Sequence, residues 1–245
     1  MIDFHSFIKD ALVASLEIQK KLQQNSLSLY EKHTLGAGGD ISYGADLVAE
    51  TIYVSYLGKY AKIDSEESGV IGDGKYTIYL DPLDGSENFK TNFPYYGASI
   101  ALCLQENTVV AIIVNFISSE VFVRTENEFY KTYLNELALK QSVTENSSLS
   151  SVGIVEKAYD KPQKLAVLKE NKLKFRSPGA VALSLAYTHY VNYMLFFGTI
   201  RVYDMQAGLY ICKDLHIYQD DEMTIISKDS DLFDKLCKLY NKEHF

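Results

Sequence analysis

The segment Leu80-Asp81-Pro82-Leu83-Asp84-Gly85-Ser86 sets two carboxylates three residues apart at the end of an apolar run, with Pro82 fixing the turn between them. In that spacing Asp81, Asp84 and the Leu83 carbonyl can face one hard cation that takes oxygen ligands in octahedral geometry. Gly85 and Ser86 then open a helix whose first N–H groups have no partner within it, which favours an anion next to the cation. The plain alternative is an Asp-Pro-x-Asp-Gly turn in which the aspartates only cap backbone. Two further segments bear on the choice. Asp64-Ser65-Glu66-Glu67-Ser68-Gly69 taken alone is a solvated acidic loop, and in Arg201-Val202-Tyr203-Asp204-Met205-Gln206-Ala207-Gly208, Asp204 taken alone is a helix N-cap. Brought into one pocket, these carboxylates cannot all stay ionised without cations. Two such ions acidify a water and neutralise the leaving oxygen of a phosphate ester. No histidine or cysteine nucleophile is needed, and His5, His33, His189, His216 and His244 show no metal spacing.

Elements of both types must position these groups. Phe4, Phe7, Ile8, Ala11, Leu12, Ile18 and Leu22 form one helical stripe behind a capping Asp3. A polar loop containing Leu35-Gly36-Ala37-Gly38-Gly39-Asp40 leads to a second helix from about Asp46 to Lys59. Short strands are expected over Lys62 to Asp64 and Tyr76 to Leu80. An antiparallel meander follows from Tyr96 to about Ser142, opening with a buried hairpin of Gly97 to Leu104 and Val109 to Val114. After a serine-rich turn over Ser147 to Ser151 the rhythm becomes strand, helix, strand, helix from Val152 to Tyr240. A boundary near Glu145 to Ser151 thus separates a first half of about 1–146 from a second of about 147–245, the two sharing one cleft.

With 245 residues the chain has ample length for a core. Lys plus Arg number 24 against 32 Asp plus Glu, and the net charge of −8 argues against nucleic acid or an anionic membrane as partner. Cys103, Cys212 and Cys237 are odd in number and set among apolar residues, which fits buried reduced thiols and a cytoplasmic location. The N-terminal residues lack a signal-peptide pattern, and no apolar run reaches membrane-spanning length.

Together, Ser65-Glu66-Glu67-Ser68, Asp81 to Phe89 and Tyr203 to Gly208 resemble the ordered motifs of the inositol monophosphatase family of magnesium-dependent, lithium-sensitive phosphatases. Phe93-Pro94 and Arg176-Ser177 before Gly179 extend the resemblance from about Asp40 to Gly208. It implies a layered αβαβα sandwich and hydrolysis of a small phosphate monoester by metal-activated water. It further implies that Glu66, Asp81, the carbonyl of Leu83, Asp84 and Asp204 ligate two or three Mg2+ ions. Asp40 and Ser86, with Glu66, are then the catalytic set, Asp40 and Ser86 orienting the water. Gly85, Ser86, Gly179, Ala180, Arg176 and Arg201 are the candidate substrate contacts, and a homodimer is expected.

The chain departs from the family pattern in places. Tyr203 stands for the usual Trp and Gln206 for a small residue. Where inositol-type members carry an acid about seven residues before the last metal Asp, this chain reads Met194-Leu195-Phe196-Phe197-Gly198. The expected substrate is a phosphorylated polyol, sugar or nucleotide, with fructose-1,6-bisphosphate and a 3'(2'),5'-bisphosphate nucleotide as alternatives to inositol-1-phosphate. A non-catalytic regulatory module on the same fold is the reading from a different class, and loss of a ligand carboxylate would be its sign.

Overall fold

The computed structural model describes residues 2–143 and 152–242. The expected half boundary and serine-rich turn at 145–151, and His244, lie outside the described residues. In chain order the elements are α1 (Phe4–Gln23), β1 (Lys32–Leu35), β2 (Ile41–Tyr43), α2 (Gly44–Leu57), β3 (Lys62–Ser65), β4 (Gly69–Ile71), β5 (Tyr76–Asp84), α3 (Ser86–Lys90), β6 (Gly97–Leu104), β7 (Asn107–Asn115), β8 (Glu120–Thr125), β9 (Phe129–Tyr133) and β10 (Glu136–Ser142). They continue with β11 (Val152–Glu156), α4 (Pro162–Glu170), β12 (Lys174–Arg176), α5 (Val181–Tyr187), β13 (Tyr193–Phe197), α6 (Val202–Ile211), β14 (His216–Gln219), β15 (Met223–Ser227) and α7 (Ser230–Leu239).

An eight-stranded sheet runs β10-β9-β8-β7-β6-β5-β3-β4 and a five-stranded sheet β12-β11-β13-β15-β14. The meander β5 to β10 is antiparallel throughout, whereas β3 and β5 run parallel because β4 turns back against the outer edge of β3 before the chain enters β5 on the other side. Alternation along single strands sorts the layers. On β6, Ala98, Ile100 and Leu102 join the core with α1 and α2, while Ala101 and Cys103 face α5 and α6. On β13, Met194 and Phe196 pack toward α5 and α6, while Tyr193, Leu195 and Phe197 pack outward with Leu168 of α4 and Phe233 and Leu236 of α7. The order is therefore helices, sheet, helices, sheet, helices, the αβαβα sandwich.

Several elements differ from the sequence reading, among them the short strand β4, which was not anticipated. The stretch taken as a polar loop contains the β1–β2 pair, whose side chains are mostly exposed and so carry no apolar alternation. Strand β5 does not stop at Leu80. Pro82 offers no N–H to the ladder, so the register breaks between Asp81 and Asp84, and pairing then resumes at Asp84 opposite Gly97. Edge strand β14 was not anticipated, and its half-exposed His216–Gln219 explains why. Cys103, Cys212 and Cys237 are buried free thiols. Among the described residues no helix is long and apolar enough to cross a membrane.

Candidate metal centre and active site

The end of one strand and the start of one helix converge. Asp81 and Asp84 come from the end of β5, and Asp204 from the first turn of α6. All three are buried, and one carboxylate oxygen from each lies within 4.8 Å of the others. The bulge at Pro82 makes this possible, because unbroken pleating would send residues three apart to opposite faces. Leu83 is buried in the core under α1 and α2, and its N–H donates to Asp81 Oδ1 at 2.9 Å, which fixes that carboxylate. Asp84 Oδ1 accepts from the Val181 N–H at 2.8 Å and its Oδ2 from the Leu183 N–H at 2.9 Å.

Glu66 enters from the turn after β3. Its N–H donates to Leu80 O at 3.0 Å, which holds it beside the end of β5. The β1–β2 loop closes over it, with Gly38 N–H donating to Glu66 O at 2.7 Å and Ala37 N–H to Glu67 O at 2.9 Å. A Cβ on Gly38 would lie 2.5 Å from Glu66 Cγ, so only glycine permits this approach. Gly85 also demands glycine, with φ +85° and a built Cβ 2.9 Å from that of Ala180. Asp40 at the loop's end is exposed, and Ser86 begins the five-residue α3.

The electrostatics follow from burial. Asp81, Asp84 and Asp204 are pushed above the ordinary carboxylate range first by desolvation; at Asp81 and Asp84 neighbouring carboxylates add to the rise, whereas the Arg201 guanidinium opposes it at Asp204. Glu66 rises to about 7, again through burial first, with Arg201 opposing the shift. Glu66 Oε2 and Asp204 Oδ1 are buried with no hydrogen-bond partner. Such oxygens cost about 1–3 kcal/mol each when left unmatched, and an oxygen-seeking divalent cation is the partner that suits them. The residues present fit a hard metal ion.

The remaining expected residues are divided. Arg201 does reach the acids: its guanidinium pairs with Glu66, with Asp40 at 3.0 Å and with Asp204 at 3.6 Å. Glu66 is thereby turned to Arg201 and is not part of the close three-aspartate group. Arg176 is exposed, donates to Phe175 O at 2.9 Å, and lines a cavity of about 270 Å³ with Phe93, Pro94, Tyr95, Ser177 and Pro178, outside the acidic group. Of the candidate substrate contacts Gly179 and Ala180 just before α5, Gly179 gives its N–H to the carboxylate of Glu156 at 3.1 Å and 3.2 Å, and the following Val181 gives its N–H to Asp84. Phe197, read as marking a missing substrate acid, points into the outer core beside Tyr240.

Sequence reasoning missed Glu156. It ends β11, is buried, and also accepts from Ser184 Oγ at 2.5 Å. Burial raises its pKa, while the Ser184 hydroxyl and the Gly179 and Ala180 N–H groups oppose the rise. A single Glu after Val-Gly-Ile-Val carries no motif; only a charged residue closing a wholly apolar strand hinted at it.

The fold and the acidic group together define a class, the phosphoric monoester hydrolases built on this sandwich. The chain belongs to the inositol monophosphatase family, whose model matches residues 7–215. It is 29% identical over 157 residues to a fructose-1,6-bisphosphatase of Pyrococcus furiosus, covering 62% of this chain and 58% of that protein. It is 28% identical over 203 residues to a fructose-1,6-bisphosphatase/inositol-1-monophosphatase of Methanothermobacter thermautotrophicus, covering 74% and 71%. In fold it is similar to the extragenic suppressor protein suhB of Bartonella henselae, with a TM-score of 0.78 at 21% identity over 97% of this chain and 99% of that one.

Proposed function

We propose that this chain is a magnesium-dependent phosphatase for a small phosphorylated polyol or sugar. The observation that carries the reading is the buried Asp81, Asp84 and Asp204 group within 4.8 Å, with unpartnered buried oxygens at its edge. In this reading Asp81, Asp84, Asp204, the Leu83 carbonyl and Glu66 hold Mg2+. The chemistry that Mg2+ supplies when bound there is acidification of water and neutralisation of phosphoryl charge. Asp84 is aimed by two backbone N–H groups from α5, so its orientation needs no adjustment as the phosphate arrives. In this reading Asp40 and Ser86, whose hydroxyl makes no hydrogen bond within the described residues, orient the attacking water, and the Ser86 hydroxyl passes the water's proton on to the Asp40 carboxylate.

The relatives named for fructose-1,6-bisphosphate and inositol-1-phosphate support a sugar or polyol ester. Net charge −8 supports a small-molecule partner rather than nucleic acid or a membrane surface. Family membership adds, as part of the same reading, inhibition by lithium, a homodimer and a cytoplasmic location. The test is release of inorganic phosphate from inositol-1-phosphate, fructose-1,6-bisphosphate and 3'-phosphoadenosine 5'-phosphate with Mg2+. We expect the first two to be hydrolysed with kcat/KM values within about 100-fold of each other, since the described site shows no single buried group dedicated to one of them. No phosphate released from any of the three would favour the non-catalytic regulatory reading.

A further inference from the structure

Strand β11 alternates between the two cores that flank its sheet. Ile154 packs inward with Leu185 of α5, and Val155 packs outward with Leu168 and Phe233. Glu156 turns inward again and meets Ser184 of α5. A carboxylate that is only 2% exposed thus follows two buried apolar residues. Stability by itself does not favour a charge there, because an apolar residue of similar volume fills such a place without desolvating a carboxylate.

The partners of Glu156 define what its carboxylate does. Gly179 N–H donates to both oxygens, at 3.1 Å and 3.2 Å, and Ser184 Oγ donates to Oε1 at 2.5 Å. Gly179, with φ +84°, sets the entry to α5, and Ser184 N–H closes a first helical bond onto Ala180 O at 3.0 Å. Between these two residues lie Val181 and Leu183, whose N–H groups both donate to Asp84. Two buried acids, one from each large sheet, therefore grip the same helix start.

We propose that Glu156 is a positioning residue for the divalent-ion site. It touches neither ion nor substrate, and it acts by fixing the start of α5 so that Val181 and Leu183 hold Asp84 facing Asp81 and Asp204. This rests on the reading that those three aspartates hold a divalent cation, and goes beyond it by naming a residue of the second sheet on which a ligand's orientation depends. Altering a supporting residue of this kind lowers metal affinity by about 10–100-fold although every ligand is retained.

The experiment compares wild type, Glu156→Gln, Ser184→Ala and Val155→Ala, the last opening a cavity on the opposite face of the same strand. Glu156→Gln keeps the volume but sets an NH2 donor against the Gly179 N–H. In the metal-free proteins the Val181 and Leu183 amides should exchange hydrogen faster in Glu156→Gln, measured against the amides of β13, and at wild-type relative rates in Val155→Ala. Calorimetric titration of Mn2+ into chelator-treated protein should give an affinity weakened by at least ~10-fold in Glu156→Gln and unchanged in Val155→Ala. Ser184→Ala, which removes one donor and keeps the charge, should shift both quantities the same way to a smaller degree, and serves where Glu156→Gln fails to fold. Wild-type Mn2+ affinity in Glu156→Gln and Ser184→Ala, with only a lower thermal midpoint, makes Glu156 a support of the second sheet; it overturns the assignment and leaves the metal reading standing. Weaker Mn2+ binding with unchanged amide exchange makes the effect one of charge and overturns the assignment as well. No Mn2+ binding by the wild type overturns both readings.

Discussion

The Asn88 carboxamide donates from Nδ2 to the Pro178 carbonyl at 2.7 Å, and also to the Tyr95 carbonyl at 2.7 Å. One side chain of α3 therefore grips the turn that leads into α5, the helix whose N–H groups aim Asp84. The catalytic segment Asp81 to Asn88 and the turn at Gly179 are clamped at two points, Asp84 and Asn88, rather than merely touching.

Asn88→Ala should lower unfolding stability by about 1–3 kcal/mol, because two carbonyls lose their donor. It should raise KM more than it lowers kcat, since the metal ligands stay in place. Urea denaturation with steady-state kinetics checks both, and an unchanged denaturation midpoint would show that water replaces the amide at no cost.

Asp81→Asn and Asp204→Asn each remove a charge from the divalent site. Phosphatase activity should fall by at least ~10³-fold, equivalent to several kcal/mol of lost transition-state stabilisation. Without added metal the thermal midpoint should hold or rise, because each substitution relieves desolvation of a buried carboxylate. A wild-type enzyme fully active in excess chelator would contradict the metal assignment.

Ser86→Ala should cost ~10²-fold in kcat through loss of proton transfer, with Mn2+ affinity kept, and Asp40→Asn should behave similarly. Pre-steady-state rates together with calorimetry separate the two quantities. A normal rate in Ser86→Ala would reduce Ser86 to the first residue of a short helix.

Asp46 makes stability depend on pH. Burial, and secondarily the Glu67 carboxylate, lift it from the ordinary 3.8 to about 7 in the folded state. Between those values the folded chain holds a proton that the unfolded chain has lost, so stability falls as pH rises from about 4 to about 7. Asp46→Asn keeps an oxygen for the Tyr43 N–H, which donates to Asp46 Oδ2 at 2.7 Å, and removes the titration. Denaturation midpoints across that range should decline less steeply in the variant; parallel slopes would place the titration elsewhere.

Much of the fold was legible because its elements carry strong periodicity. The α1 stripe, the β6–β7 hairpin and the β13 run are apolar on the spacing their burial demands. The acidic motif was legible because Pro82 between two aspartates is an unusual way to end a strand. The β1–β2 pair was not, since Lys32 to Leu35 are exposed and β2 buries only the polar Ser42, so neither strand carries an apolar alternation. Glu156 escaped because its meaning lies in its partners, Gly179 and Ser184, 23 and 28 residues further on. Arg201 was noticed, but which of substrate or protein carboxylates it would meet depends on the docking of the β1–β2 loop, a relation that no local pattern encodes.

The two bonds that Asp84 receives come from residues 97 and 99 positions later in the chain. Closing so long a loop is entropically slow, and contacts of that range form late. During refolding the first sheet can acquire its helices and strands while Asp84 still lacks its donors. Recovery of enzymatic turnover should therefore trail recovery of the far-ultraviolet dichroism signal, and a nascent chain emerging from the ribosome remains catalytically silent until α5 has docked.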